Sequence, residues 1–261
     1  MDMLIAQKIS GLPSEQILLP PNEDVNSLAG DYSIGEVLYP DSPIGQFGIL
    51  EKDWLRHCGI FGKTGSVKTT LAIRILKEIC NKGKPFLIFD YKRNYRDLLG
   101  HPEFKNEDIL VFTVGRNNIA PFYFNPKKAP DGMEEYIWTK QLIQLIEKVY
   151  FLGFGAHDIF MENIDADTFR QVQDKVLSQK KKARELLWWA SVKRTLNSIN
   201  YPCLGEMVNC ETGHSIPDLL NKKVILELDG LSGSDQAFVI GSLLLWIYHY
   251  RMRQQIGRAH V

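Results

Sequence analysis

Runs of consecutive apolar residues recur along the chain and predict buried strands. The clearest runs span residues 84–90, 108–114 and 223–229, in which apolar side chains follow one another with little polar alternation. Strands that are covered on both faces of a sheet have this texture. We therefore expect these three segments to lie inside one sheet.

Segments with helical periodicity lie between the apolar runs. Apolar residues after position 70 recur at helical spacing, and Gly83 is a natural terminator for the helix that they predict. Residues 134–150 and 168–199 are also predicted to be helical, with one polar side each. We therefore interpret residues 125–215 as a mainly helical insertion on the sheet.

The alternation of strands and helices predicts an α/β fold with a mainly parallel sheet and right-handed crossover connections. Such sheets bind their ligands beyond the carboxyl ends of the strands. Residues 1–55 are rich in Pro, Gly and Asp, with strand-like pieces at 36–39 and 46–50, and are interpreted as a small β-type lead-in. The core is expected to span residues 56–255 and to open with a short strand at 58–61.

Composition excludes several classes of protein. With 261 residues, of which 44% are hydrophobic and 24% charged, the chain is long and apolar enough to bury a large core. The 31 basic and 31 acidic side chains balance, so that any contact with nucleic acid must come from a local basic face. The four cysteines form no CxxC pair and have no metal-ligand spacing, and free thiols in a reducing compartment are expected.

Targeting signals are not evident. Residues 1–19 lack the basic start and continuous apolar stretch of a signal peptide. The longest apolar run, 237–248, is shorter than the roughly 20 residues that a membrane span needs. We therefore expect no membrane association and a location in the cytoplasm.

A glycine-rich turn precedes the first predicted core helix and carries the candidate chemistry. Its residues partly match the phosphate-loop pattern G-x-x-x-x-G-K-[ST], in which backbone N–H groups hold phosphate oxygens, Lys reaches the β- and γ-phosphates, and a hydroxyl coordinates Mg²⁺. The candidate nucleotide-binding residues are Gly62, Lys63, Thr64, Gly65, Ser66, Val67, Lys68, Thr69 and Thr70.

One position in the turn departs from the pattern. Val67 occupies the place of the second glycine, where the backbone approaches the ligand closely and a side chain would crowd it. A turn without any ligand is the alternative interpretation. The order of a predicted strand, the turn and an amphipathic helix favours the nucleotide site.

Three segments resemble the HerA-like branch of the HerA/FtsK superfamily of DNA-pumping ATPases. Residues 56–69 resemble the phosphate-loop region H-x-G-I-F-G-x-T-G-S-G-K-T of that branch, and 89–98 are similar to its second strand with the following D-x-K-x-x-Y element. Residues 224–232, with the apolar helix after them, resemble its I-x-x-L-S-G-L segment. The resemblance covers roughly 30–125 and 220–255.

The resemblance implies a RecA-like P-loop core that uses ATP with Mg²⁺, assembles into rings that are typically hexameric, and translocates along or processes double-stranded DNA. A partner nuclease is a further candidate. Carried over by position, Lys68 would neutralise phosphate charge, Thr69 would hold Mg²⁺, and Asp90 would face the nucleotide as a third catalytic residue. An acidic residue that closes a strand and caps the next turn is the alternative for Asp90.

The C-terminal part departs from the family. Family members have an acidic catalytic strand soon after the helix that is predicted here to end near residue 255. This chain has no such strand. Residues 256–261 resemble translated sequencing adapter and are interpreted as a non-native tail. We therefore expect a chain truncated at its C-terminus.

Other charged residues have two interpretations each. Asp229 is a candidate magnesium-orienting acid or a residue that starts a turn. Residues 169–196 hold eight basic and two acidic side chains, with Trp188 and Trp189 among them, which suits either DNA contact or a solvated helix face. His57 is interpreted as structural or as part of an interface.

The leading hypothesis is an ATP-binding P-loop domain of a DNA translocase or helicase. Whether this chain turns over ATP stays open. The alternative is a nucleotide-responsive interaction module without hydrolysis, which Val67 and the missing acidic strand favour. A small-molecule P-loop kinase is a weaker third hypothesis, because no acceptor-site or lid signature is evident.

Overall fold

A computed structural model describes residues 28–38, 41–54, 56–116, 118–180 and 183–259, without the side chains of 255–259. Most of the predicted lead-in, two lysines of the basic stretch and the end of the predicted tail lie outside these ranges. The chain divides into two compact units at the junction of Lys84 and Pro85, and each unit is described by itself.

The first unit contains a β-hairpin and two helices. Strands β1 (Tyr32–Leu38) and β2 (Pro43–Ile49) pair antiparallel, followed by the short α1 (Glu51–Trp54) and by α2 (Lys68–Asn81). The predicted strand-like pieces thus belong to a real hairpin whose strands begin earlier than expected. The predicted terminator Gly83 is confirmed, since it adopts a φ of 64° just after α2 and donates its N–H to the carbonyl of Cys80.

Tyr32 is the centre of this unit. It is buried, stacks on Trp54 with ring centroids 5.5 Å apart, and donates its hydroxyl to Glu51 at 2.7 Å. Lys84 forms an ion pair with the same carboxylate, and the ammonium of Lys82 lies 4.8 Å from the tyrosine ring centroid. These contacts connect β1 and α1 with the residues that follow α2.

The predicted strand at residues 58–61 is wrong. The segment has no regular secondary structure, and Phe61 is 93% exposed, with its ring against the backbone of Gly59. The apolar run suggested burial on both faces, but a strand of this kind needs paired neighbours, and a glycine inside so short a run weakens it further.

The second unit contains a parallel sheet, as predicted. Its strands are β3 (Phe86–Asp90), β4 (Ile109–Thr113) and β5 (Lys223–Glu227), in the order β3-β5-β4. The last strand in the sequence is therefore the central one, and its apolar residues 224–226 are fully buried. The register aligns Asp90, Glu227 and Thr113 at the carboxyl edge.

The helices of this unit lie between β4 and β5 and after β5 in the sequence, and they supply much of the apolar core. They are α3 (Glu135–Tyr150), α4 (Phe154–Asn163), α5 (Phe169–Ser178), α6 (Leu186–Ile199), α7 (Pro202–Val208), α8 (Ile216–Leu219) and α9 (Gly233–Ala259). The continuous helix predicted over 168–199 is instead two helices, because the backbone at Gln179 is extended, with a ψ of 145°. Phe160, Val172, Leu196 and Phe238 are fully buried in one apolar cluster.

The long α9 begins with a side-chain cap. Ser232 accepts the N–H of Asp235 at 3.3 Å and donates its hydroxyl to the Asp235 carboxylate at 2.7 Å. The first of these bonds satisfies one of the backbone donors that the first helical turn leaves without a partner. All four cysteines are free, as expected. Among the described residues, no helix has the length and apolarity to cross a membrane.

Candidate phosphate-binding loop

The predicted phosphate loop is a compact turn that leads directly into α2. The N–H of Ser66 donates to the carbonyl of Lys63 at 3.1 Å, and the N–H of Leu71 donates to the carbonyl of Val67 at 3.0 Å. Helix α2 starts at Lys68, so that Thr69 and Thr70 lie in its first turn. Backbone N–H groups of a first helical turn have no carbonyl partner inside the helix.

The side chain of Lys68 folds back onto the loop. Its ammonium donates to the carbonyl oxygens of Gly62 at 2.7 Å and Lys63 at 2.9 Å. An ammonium has three N–H donors, and these two bonds use two of them. The charge is thereby held at the mouth of the loop, next to the amino end of the helix, where partial positive charge also accumulates.

Val67 has a backbone conformation that suits glycine. Its φ of 49° and ψ of 27° lie in the left-handed region, which costs a non-glycine residue about 1–2 kcal/mol. A β-branched side chain is especially unfavourable there. The side chain is 69% exposed, so that burial returns little of this cost. The backbone of the loop therefore has the conformation that a glycine at position 67 would favour, and Val67 bears the conformational strain.

Gly62 and Gly65 make the remainder of the curve possible. A Cβ at Gly62 would lie 2.2 Å from the hydroxyl oxygen of Ser66, which shows how closely the two ends of the loop approach. Gly65 has a φ of 83°, a conformation open to glycine without strain. The two glycines and the strained valine together close the turn.

This arrangement fits a phosphate group. A lysine ammonium, helix N-terminal N–H groups and a glycine-containing turn are the groups that bind phosphates in proteins. Lys63, Thr64, Gly65, Ser66, Val67, Thr69 and Thr70 are exposed and Lys68 is half-buried. Thr69 is the hydroxyl residue that follows Lys68, which is the position the pattern gives to a Mg²⁺ ligand.

The side chains that the structure describes do not build a metal site by themselves. Among the described residues, no group of three or more His, Cys, Asp or Glu side chains could hold a metal ion. Mg²⁺ is usually bound through one or two protein ligands together with substrate phosphates and water. A single threonine hydroxyl beside a phosphate loop therefore fits Mg²⁺ that arrives with a nucleotide.

Asp90, the third predicted catalytic residue, caps a turn in the second unit. It is buried, and its carboxylate accepts the N–H groups of Lys92 at 3.1 Å, Asn94 at 3.1 Å and Tyr95 at 2.9 Å. Within the described residues, the side chain of Asp90 therefore caps the turn after β3, as its alternative interpretation expected. Burial, followed by the nearby charge of Asp90, raises the pKa of Tyr95.

Sequence reasoning missed Glu227, the last residue of the central strand. This carboxylate is fully buried and accepts two hydrogen bonds from Arg96, from Nε at 2.7 Å and from Nη2 at 2.6 Å. Arg93 approaches it with Nε at 3.5 Å. A charged residue at the end of an otherwise apolar strand is the sequence signal that marks Glu227.

Asp229 forms an ion pair with Arg116 across the loops that follow β5 and β4. This contact is the role that the described residues give to Asp229.

In the basic stretch, Trp189 is buried and Trp188 is 46% exposed. His57 is exposed.

A family model described as "Helicase HerA, central domain" matches residues 32–245 of the chain. The matched range contains both the phosphate loop and the whole parallel sheet. No curated protein matches the chain.

Proposed function

Because the chain belongs to the family of the helicase HerA central domain, we propose that it is the ATP-binding domain of a motor that moves along double-stranded DNA. The observation that carries this proposal is the position of Lys68, whose ammonium lies over the loop at the start of α2. Family membership supports a HerA/FtsK-type ATPase. Turnover, DNA and ring assembly are the proposed extensions.

Each residue of the loop has a proposed task in nucleotide binding. Lys68 neutralises β- and γ-phosphate charge, and the N–H groups of residues 64–70 hold phosphate oxygens. Thr69 would hold Mg²⁺ through its hydroxyl, and the metal would supply positive charge that stabilises negative charge on the phosphates. In P-loop enzymes positioning and charge neutralisation carry most of the chemistry.

The proposed domain is a RecA-like core over residues 56–255 with the helical insertion at 125–215. Ring assembly, DNA and a partner nuclease rest on resemblance to the family, and the nuclease has no further support. The alternative function is a module that binds nucleotide without hydrolysing it. Val67 favours this alternative, because its side chain occupies a position where the backbone approaches the ligand closely and would crowd the phosphates.

The binding claim is tested by calorimetric titration of the full chain with Mg-ATP. Lys68→Ala removes a charge-assisted contact to phosphate, and we expect affinity to fall by at least about tenfold. Val67→Gly should bind more tightly than the native chain. Lys193→Ala, a change at an exposed lysine on α6, is the matched control and should bind unchanged.

Nucleotide binding at this loop is contradicted if Lys68→Ala binds Mg-ATP as well as the native chain. A second measurement separates motor from module: phosphate release from ATP with and without duplex DNA. Turnover that DNA stimulates in Val67→Gly supports the motor. Binding without turnover in that variant supports the module.

A further inference from the structure

Three arginine side chains converge at the carboxyl edge of the parallel sheet. Arg93 and Arg96 follow β3, and Arg116 follows β4. Their side chains are 35%, 34% and 33% exposed, so that each guanidinium is partly covered and partly open to solvent. This edge is where open α/β sheets bind their ligands.

Two carboxylates from the central strand and its following loop fix these arginines. Glu227 holds Arg96 through two parallel hydrogen bonds, and Asp229 forms an ion pair with Arg116. The two pairs are neighbours, because Glu227 and Asp229 are two residues apart and Val114, two residues before Arg116, donates its N–H to the carbonyl of Glu227 at 2.9 Å. The three cations are therefore one cluster.

A contribution to stability does not explain why a buried carboxylate occupies position 227. It is fully buried at the end of a strand whose preceding residues are apolar, and a buried ion pair adds little stability compared with apolar side chains of similar volume. What a buried carboxylate does provide is a fixed direction for the groups that it binds. Glu227 is therefore a positioning residue for Arg96 and Arg93.

The segment that carries Arg93 is also fixed. Arg93 has a left-handed φ of 57°, which costs a non-glycine residue free energy. The N–H groups on both sides of it, from Lys92 and from Asn94, are bound by the buried carboxylate of Asp90. The surrounding bonds thus hold a strained residue in place, with its guanidinium toward Glu227.

The cluster retains hydrogen-bonding capacity. A guanidinium has five N–H donors. Glu227 accepts two from Arg96, and Asp229 accepts one from Arg116. Nε of Arg93 is buried and makes no hydrogen bond within the described residues. The carboxylates at this edge are those of Glu227, Asp229 and the buried Asp90. The three guanidinium charges equal them in number, and the exposed Lys92 adds one further cation.

We propose that Arg93, Arg96 and Arg116 form a second phosphate-binding site, separate in sequence from the loop at Gly62–Thr70. Planar guanidinium forks match the oxygens of a phosphate group, and several fixed cations suit an anion with more than one charge. The phosphate belongs either to a nucleotide or to a nucleic-acid backbone. The site does not depend on nucleotide binding at Lys68.

The test uses the full chain with Lys68→Ala as background, so that the first loop does not contribute. Inorganic pyrophosphate is titrated by calorimetry, and a blunt duplex DNA of mixed sequence is titrated by fluorescence anisotropy. Arg93→Ala and Arg116→Ala are each added to the background. Arg251→Ala, at an exposed arginine on α9 outside the basic stretch 169–196, is the control, and thermal unfolding checks that each variant folds.

We expect Arg93→Ala and Arg116→Ala each to weaken binding by about tenfold, the loss typical of one charge-assisted hydrogen bond. Loss in the pyrophosphate titration identifies a small phosphate ligand. Loss in the DNA titration alone, with a salt dependence whose slope falls by about one per arginine removed, identifies the nucleic-acid backbone.

The role of Glu227 has its own measurement. Glu227→Gln keeps the size of the side chain and one acceptor, but releases the two-point hold on Arg96. Phosphate binding should weaken several-fold in a variant that still unfolds cooperatively. The second site is overturned if no probe binds the Lys68→Ala background, or if the arginine variants bind as the Arg251→Ala control does.

Discussion

At the scale of single residues, Val67 is the position where sequence and backbone disagree. Its left-handed conformation is enforced by the turn and by the start of α2. Val67→Gly relieves about 1–2 kcal/mol of strain, and the greater freedom of glycine in the unfolded chain offsets up to about 1 kcal/mol of this. We expect the free energy of unfolding in urea to rise by about 0.5–1 kcal/mol.

Val67→Ala is the matched control for this change. Alanine removes the β-branch but retains the Cβ that conflicts with a positive φ, so that it should recover less than glycine does. An equal gain in the two variants would attribute the strain to the branched side chain and would contradict the argument from φ.

At the scale of secondary-structure elements, Asp235 connects three helices. Beside its part in the cap of α9, its carboxylate accepts hydrogen bonds from Tyr150 of α3 at 2.8 Å and from Ser198 of α6 at 3.1 Å. Burial, and then the charge of Asp235, raises the pKa of Tyr150, so that its hydroxyl stays protonated and donates. The contact joins the helical segments to the C-terminal helix.

Tyr150→Phe should therefore destabilise the protein. The change removes one hydroxyl and leaves the ring against Phe238, and we expect a loss of about 1–2 kcal/mol in the free energy of unfolding, since the bond goes to a charged acceptor that is only half-buried. Tyr248→Phe, at a tyrosine that is 57% exposed, should change it by less than about 0.5 kcal/mol. Equal effects would show that the Asp235 bond adds no stability.

The elements that sequence predicted well are those with a strong local pattern. The three strands of the parallel sheet and helix α2 were found because their apolar residues lie at the spacing of one type of structure. The strand at 58–61 was predicted from an apolar run alone. An apolar run does not guarantee burial, and these residues are mostly exposed. Boundaries shifted by a few residues where a turn or a glycine intervened.

Contacts between residues that are distant in the sequence could not be predicted from local patterns. Glu227 and Arg96 are 131 positions apart, and only the strand order β3-β5-β4 brings them together. The turn at residues 62–70 was predictable because the motif is local, and its role in phosphate binding stays a prediction. The arginine cluster was not, because its members follow two different strands and are joined by carboxylates from a third.

At the scale of the whole molecule, a partly buried lysine makes the free energy of unfolding depend on pH. Burial lowers the pKa of Lys127 to about 8, against the opposing charges of Asp165 and Asp167, and its ammonium donates to the carbonyl of Ile164 at 2.6 Å. The unfolded chain holds this proton up to about pH 10.4. Below about pH 8 both states are protonated, and the folded state carries the full cost of burying the charge.

Stability from this group therefore rises between about pH 8 and pH 10.4, since the unfolded state binds more protons there. Relative to Lys127→Met, which has no such proton, the native chain should gain roughly 3 kcal/mol in free energy of unfolding across that window. Urea unfolding of both proteins at several pH values measures the difference. Lys193→Met is the control, and a difference that stays constant with pH would contradict the buried-charge argument.

The strand order has a consequence for the growing chain. β5 separates β3 from β4 in the sheet, so that the two earlier strands lack their partner until residues 223–227 have been synthesised. At ~5–20 residues per second, the stretch from Thr113 to Lys223 takes on the order of ten seconds. During that time two apolar strands have unpaired edges, which is the state in which nascent chains associate wrongly. The nascent chain is thus more prone to aggregation than the finished protein, and slow translation before β5 prolongs that risk.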